Sequence, residues 1–159
     1  MGEVRPPRPD RVRGQVLLDT HVWLWHLDGD AGRFPPGAVD LLRERGRERL
    51  LAVSDISAWE VATKVAKGKL TLALETSHWI ARAERAPGIA FIRLDRQILV
   101  ASAVLPGDLH GDPADRILVA TALAYGAWLA TADGALLDYA LSEASHLRAI
   151  DLRRASRRR

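Results

Sequence analysis

A chain of 159 residues, 48% hydrophobic and 27% charged, has the size and composition of one globular domain and excludes a collagen-like or disordered protein. The absence of cysteine excludes disulfides, thiolate zinc sites and cysteine nucleophiles, and fits a reducing, cytoplasmic setting. The formal charge of +3 comes from the ends: residues 1–14 hold four Arg against two acids, and residues 153–159 hold five Arg and no acid. Between them stand 14 basic and 18 acidic side chains, so the body of the chain is mildly acidic.

Three parts are therefore expected: a flexible Pro- and Arg-rich lead-in over residues 1–14, a folded domain over 15–152, and an Arg-rich tail over 153–159. Such tails either contact nucleic acid or an acidic partner, or are merely solvated. The first residues lack the apolar stretch of a secretory signal. The longest uncharged run, residues 117–132, falls short of the ~20 residues a membrane span needs and is interrupted by Gly126. It reads as a buried helix followed by a buried strand, and no membrane association is expected.

In chain order, Val16, Leu17 and Leu18 form a fully apolar run ending on Asp19, the pattern of a strand buried on both faces. A helix follows at once through Val22, Trp25 and His26. After a turn region, Pro35 and Pro36 are expected to open a second helix through Ala38, Val39, Leu42 and Arg43. Residues 50–53 read as the second strand, with Ser54 and Asp55 as cap candidates for a helix that Gly68 stops. A further helix covers residues 76–85, residues 89–94 form the third strand, and Asp95 caps the next helix. Asp112 and Pro113 open the long apolar helix, Trp128 to Thr131 is the fourth strand, residues 134–139 a short helix, and residues 146–150 a fifth strand. Short apolar strands alternating with helices predict parallel βαβ units, hence an α/β fold with a central parallel sheet of four to five short strands and helices on both faces.

In such sheets, sites form beyond the carboxyl ends of the strands. Asp19 ends the first strand, Asp133 follows the fourth, Asp115 lies in the first turn of the helix opened by Asp112, and Glu60 lies about one turn into the helix after the second strand. Each has an ordinary structural role. Asp19 and Asp133 can cap helices, for ~1 kcal/mol each. Glu60 has Lys64 at ion-pair spacing, Asp115 can complement a helix dipole, and Asp112 is assigned to the cap. Converging together, however, carboxylates repel one another unless a hard cation such as Mg²⁺ or Mn²⁺ offsets them. One divalent ion leaves four ionised acids at −2 and two leave them neutral, and phosphodiester hydrolysis is the natural chemistry.

The segments VLLDTHVWLW, SAWEVATKVAKGKL, HGDPADRILVATAL and LATADGALL, in this order and spacing, resemble the PIN-domain ribonucleases, and among them the VapC-type toxins of toxin-antitoxin pairs. The resemblance covers residues 16–150. It implies a three-layer fold and an Mg²⁺- or Mn²⁺-dependent endoribonuclease with Asp19, Glu60, Asp115 and Asp133 as its acidic quartet. Asp19 and Asp115 would ligate the metal, with Glu60 and Asp133 acting through water or a second ion. Thr20, Ser57 and Thr131 stand where hydroxyls orient carboxylates or waters. Arg116 either contacts phosphate or makes a surface ion pair. Gly134 stands where a basic residue often follows the acid, so no phosphate contact is expected there. The resemblance also implies an RNA substrate, a cognate antitoxin and a homodimer.

The five histidines include no pair at the i, i+4 spacing of a helical zinc site. His110 falls near the site by motif and either touches substrate or is an ordinary loop histidine, and Trp23, Trp25, Trp59 and Trp79 read as core or subunit contacts. The alternative function is a non-catalytic PIN-fold module that binds RNA or protein through the Arg-rich ends. A haloacid-dehalogenase-like phosphatase needs a second Asp two residues after the first, and here Thr20 and His21 follow Asp19.

Overall fold

The first four strands are short apolar runs, each followed in the chain by a helix. The computed structural model describes residues 11–154. Its strands are β1 (Val16–Leu18), β2 (Leu51–Ser54), β3 (Ile89–Ile92), β4 (Trp128–Thr131) and β5 (Ala149–Asp151). The helices are α1 (Thr20–Asp28), α2 (Ala38–Arg47), α3 (Asp55–Ala66), α4 (Thr76–Glu84), α5 (Arg96–Ala103), α6 (Pro113–Tyr125) and α7 (Gly134–Leu141). All strand pairs are parallel, in the order β3-β2-β1-β4-β5.

The period-2 alternation of a strand sends successive side chains to opposite faces. Val16 and Leu18 join Val22 and Trp23 of α1, Leu41 and Leu42 of α2, and Val61 of α3 in one core. Leu17, between them, joins Leu118, Val119 and Ala122 of α6 and Leu136 of α7 in the other. Both faces of the sheet are thus covered, which is the three-layer α/β arrangement the sequence predicts. Trp23 is fully buried, with Trp79 and Phe91 edge-on at 5.1 and 5.6 Å.

Several boundaries differ from expectation. The chain enters α2 through Gly37 at φ +83, so the two prolines lie in the preceding turn and the helix begins at Ala38. β3 stops at Ile92, and β5 starts only at Ala149, because His146 takes a positive φ of 51° that interrupts an extended run. Val12, inside the expected lead-in, is 1% exposed and belongs to the first core, while Arg13 O accepts a hydrogen bond from Trp128 Nε1 at 3.0 Å. At the other end Arg153 pairs with Asp151, and Arg154 donates to Gly32 O at 2.7 Å. Residues 1–10 and 155–159, which make up most of the expected lead-in and tail, lie outside the described residues. Trp59 is not a core residue, being 58% exposed on α3.

The chain runs outward from β1 through β2 to β3, then crosses to β4 beside β1 and on to β5. The order therefore reverses between β1 and β4, and a crevice forms at their carboxyl ends. Asp19 follows β1 and Asp133 follows β4 at this point.

Candidate active site

Two pairs of hydroxyl bridges build the acidic edge. Asp19, 4% exposed, accepts the Thr20 N–H on Oδ1 at 2.7 Å and the Thr131 hydroxyl on Oδ2 at 2.6 Å. Thr131, the last residue of β4, in turn accepts the Asp133 N–H at 3.0 Å, and Asp133 caps α7 through Leu136 N at 3.1 Å. One buried threonine thus ties together the ends of the two central strands. On the other side, Thr20 Oγ1 donates to Glu60 Oε1 at 2.8 Å and lies 2.9 Å from the Ser57 hydroxyl, joining α1 to α3. Hydrogen bonds to a charged acceptor contribute about 1.5–3 kcal/mol each, enough to set the rotamers of Asp19 and Glu60.

Asp115 enters from α6. Asp112 caps that helix by accepting the Asp115 N–H at 3.1 Å, with Pro113 in the first helical turn. Burial pushes the Asp115 carboxyl up to about 7, assisted by the charges of Asp112, Asp19, Asp133 and Glu60. Burial also raises Glu60, with Asp19 and Asp112 adding to the rise and the Thr20 bond and Lys64 opposing it. The five acids therefore share one electrostatic environment. Asp112, a helix cap by sequence, is also the strongest of the neighbouring charges on Asp115.

Little positive charge offsets them. Lys64 Nζ is 4.0 Å from Glu60 Oε2, at the outer limit of an ion pair. His21 Nε2 is 3.7 Å from Asp19 Oδ2 and accepts the Ala132 N–H at 3.4 Å. Arg116 makes no ion pair among the described residues. Its guanidinium donates to Ser102 O and Leu109 O, each at 2.9 Å, and to Ala103 O at 3.4 Å, clamping the connection between α5 and α6. Adjacency to Asp115 in sequence is thus a matter of helix rotation, and the two side chains serve different ends.

His110, which the motif puts near the site, comes close to Asp115. Its Nδ1 accepts the Asp112 N–H at 3.2 Å, which leaves the proton on Nε2, 3.3 Å from Asp115 Oδ2. The sequence signal is its place at the head of the segment HGDPADRILVATAL, a short turn before the helix start.

Hard carboxylate oxygens, mutually repelling and poorly neutralised, suit Mg²⁺ or Mn²⁺ and not a softer ion. Among the described residues, no three His, Asp or Glu side chains are gathered into a ready-made cage. The donor chemistry fits a hard divalent cation held by few direct ligands and completed by water.

The PIN domain family model matches residues 16–141, and the chain belongs to the PIN domain family. Within it, the likeness is to the VapC type. Over 118 residues the chain is 30% identical to Ribonuclease VapC22 of Mycobacterium tuberculosis, a match that covers 74% of this chain and 86% of that protein. Its fold resembles that in the crystal structure of VapBC2 from Rickettsia felis bound to a promoter DNA fragment, with a TM-score of 0.56 and 14% identity over 86% of this chain and 98% of that one. FitAB bound to a DNA fragment gives a TM-score of 0.52 and 17% identity over 86% of this chain and 94% of that one.

Proposed function

We propose that the protein is a divalent-metal-dependent endoribonuclease and the toxin of a toxin-antitoxin pair. The observation that carries this reading is the gathering of Asp19, Glu60, Asp115 and Asp133 at one edge of a PIN-family sheet, where burial, and after it the charges of the neighbouring acids, raises Asp115 to about 7. The likeness to a protein named as a ribonuclease supports RNA as the substrate. Asp19 and Asp115 are the direct ligands, while Glu60 and Asp133 act through water or a second ion. When bound, the cation supplies Lewis acidity and offsets phosphoryl charge. Thr131 fixes Asp19, Thr20, itself bonded to Ser57, fixes Glu60, and His110 stands 3.3 Å from Asp115.

Purified protein should cleave RNA with Mg²⁺ or Mn²⁺, and excess chelator, Asp19→Asn or Asp115→Asn should each abolish cleavage with the fold intact. Undiminished cleavage by either variant, or full activity in chelator, removes the assignment. The likeness to VapBC2 and FitAB supports a cognate antitoxin as partner, to be tested by co-purification and by its inhibition of cleavage. A homodimer is part of the reading, supported by Leu99, Val100 and Val104 exposed along and just after α5, and sedimentation of Val100→Asp should show its loss. No helix among the described residues is long and apolar enough to cross a membrane, and we place the activity in the cytoplasm.

A further inference from the structure

Beside the acidic edge lies a groove of about 280 Å³, lined by Trp59, Glu60, Lys64, Lys67 and Lys69 on one wall and by the start of α6 on the other. Trp59, Thr63 and Lys67 follow one another at i, i+4 spacing, with Glu60 and Lys64 in the adjacent row, so they stack along a single face. From Trp59 to Lys67 this wall is about 12 Å long at 1.5 Å per residue. Lys69 lies beyond the helix, yet the chain brings it back. Gly68, at φ +69, donates to Val65 O at 3.0 Å, and Lys69 N donates to Lys64 O at 2.8 Å, a terminating turn that folds Lys69 onto the last helical turn.

The groove is thus polarised. One end shares Glu60 and Asp112 with the acidic edge, and the other carries three lysines in a body whose net charge is negative. Among the described residues, Lys67 and Lys69 have no carboxylate within ion-pair distance. Trp59 stands between the two ends and is 58% exposed, although burying an indole is strongly favourable. An exposed aromatic face beside unpaired lysines is the arrangement that takes an unpaired base by stacking and the neighbouring phosphates by charge.

We infer that this groove binds the single-stranded RNA flanking the scissile phosphate, with Trp59 stacking on one base and Lys67 and Lys69 holding the phosphates beyond it. The inference rests on the nuclease reading above and gives the path of the substrate strand, along α3. A duplex does not enter, because its bases have no free face to offer Trp59. An acidic peptide fits the lysines but finds no use for the indole.

The test is the affinity of a short fluorescein-labelled single-stranded RNA, measured by anisotropy at several salt concentrations in an Asp115→Asn background that prevents cleavage. Trp59→Ala should weaken binding roughly 5- to 100-fold, with Trp59→Phe recovering most of it. Changing both Lys67 and Lys69 to Ala should lower the slope of log affinity against log salt by about 1.4, as expected for two phosphate contacts to a single strand. The same sequence as a duplex should bind more weakly and ignore Trp59→Ala. Arg43, in the exposed Asp40 ion pair on α2, provides the remote control: Arg43→Ala should leave the affinity unchanged. RNA affinity and salt slope equal to those of the parent in the Trp59 and lysine variants overturn the inference, as does an effect of these variants on antitoxin binding or dimerisation alone. Failure of the unaltered protein to cleave RNA with Mg²⁺ or Mn²⁺ tells against the nuclease reading instead, because the binding comparison does not depend on turnover.

Discussion

Replacing Asp115 with Asn should make the metal-free protein more stable at neutral pH. The carboxyl is held at about 7 in the folded protein against an ordinary value of 3.8, chiefly by burial and then by its acidic neighbours. Between those two values the folded chain keeps a proton that the unfolded chain has lost. Stability from this group is therefore highest below about pH 4, falls as pH rises, and levels off above about pH 7. The full difference corresponds to about 4 kcal/mol. Water reaches the side chain, which is 20% exposed, and screens the charge, so about 2 kcal/mol is the working figure. Asn preserves the shape without the charge. Urea unfolding in chelator, from about pH 5 to about pH 8, should show the variant gaining on the unaltered protein until its midpoint lies about 1 M higher. A gap that does not change with pH, or a variant less stable at the alkaline end, would refute the reasoning. Mg²⁺ at about 100 times its dissociation constant should then restore about 2.7 kcal/mol to the unaltered protein and much less to the variant.

Thr131→Val keeps the shape of a fully buried residue but removes the donor to Asp19 and the acceptor of the Asp133 N–H, so unfolding should cost about 2–4 kcal/mol less and calorimetry should show weaker Mg²⁺ binding, both recovered by Thr131→Ser. Arg116→Ala frees the carbonyls of Ser102, Ala103 and Leu109, so amide exchange across residues 104–112 should quicken and stability fall by about 2–3 kcal/mol, whereas a phosphate-contacting arginine would leave exchange unchanged. Gly88 has φ +83, and a β-carbon there would sit 2.3 Å from Gly46 O, a backbone atom that cannot turn aside. Gly88→Ala should therefore cost at least about 2 kcal/mol, seen as a thermal midpoint lower by roughly 4–8 °C.

What could be read along the chain was whatever depends on residues a few positions apart. The run from Val16 to Leu18 forms a strand because all three side chains are apolar, and Asp19 ends it. Asp95, Asp112 and Asp133 cap the helices that follow them because each carboxylate reaches an amide within three residues of its own backbone. These contacts are local, and their chemistry is visible in the order of residues. Strand order, by contrast, came from packing, and with it the meeting of Asp19 and Thr131 across 112 positions and of Thr20 and Glu60 across 40.

The same division explains the departures. Arg116 and Asp115 are neighbours in sequence, but about 100° of helix rotation sends one to the α5–α6 carbonyls and the other to the acidic edge. Trp59 has the spacing of a core residue, yet only the placement of α6 reveals that its face is left open beside the lysines. Val12 looks like part of a charged tail until the sheet closes over it. The sequence by itself determined the strands, the caps and which acids were available. The tertiary structure decided which of those acids share a field, because charge interactions depend on distance in space and on the water excluded between the groups, and neither is written in residue order.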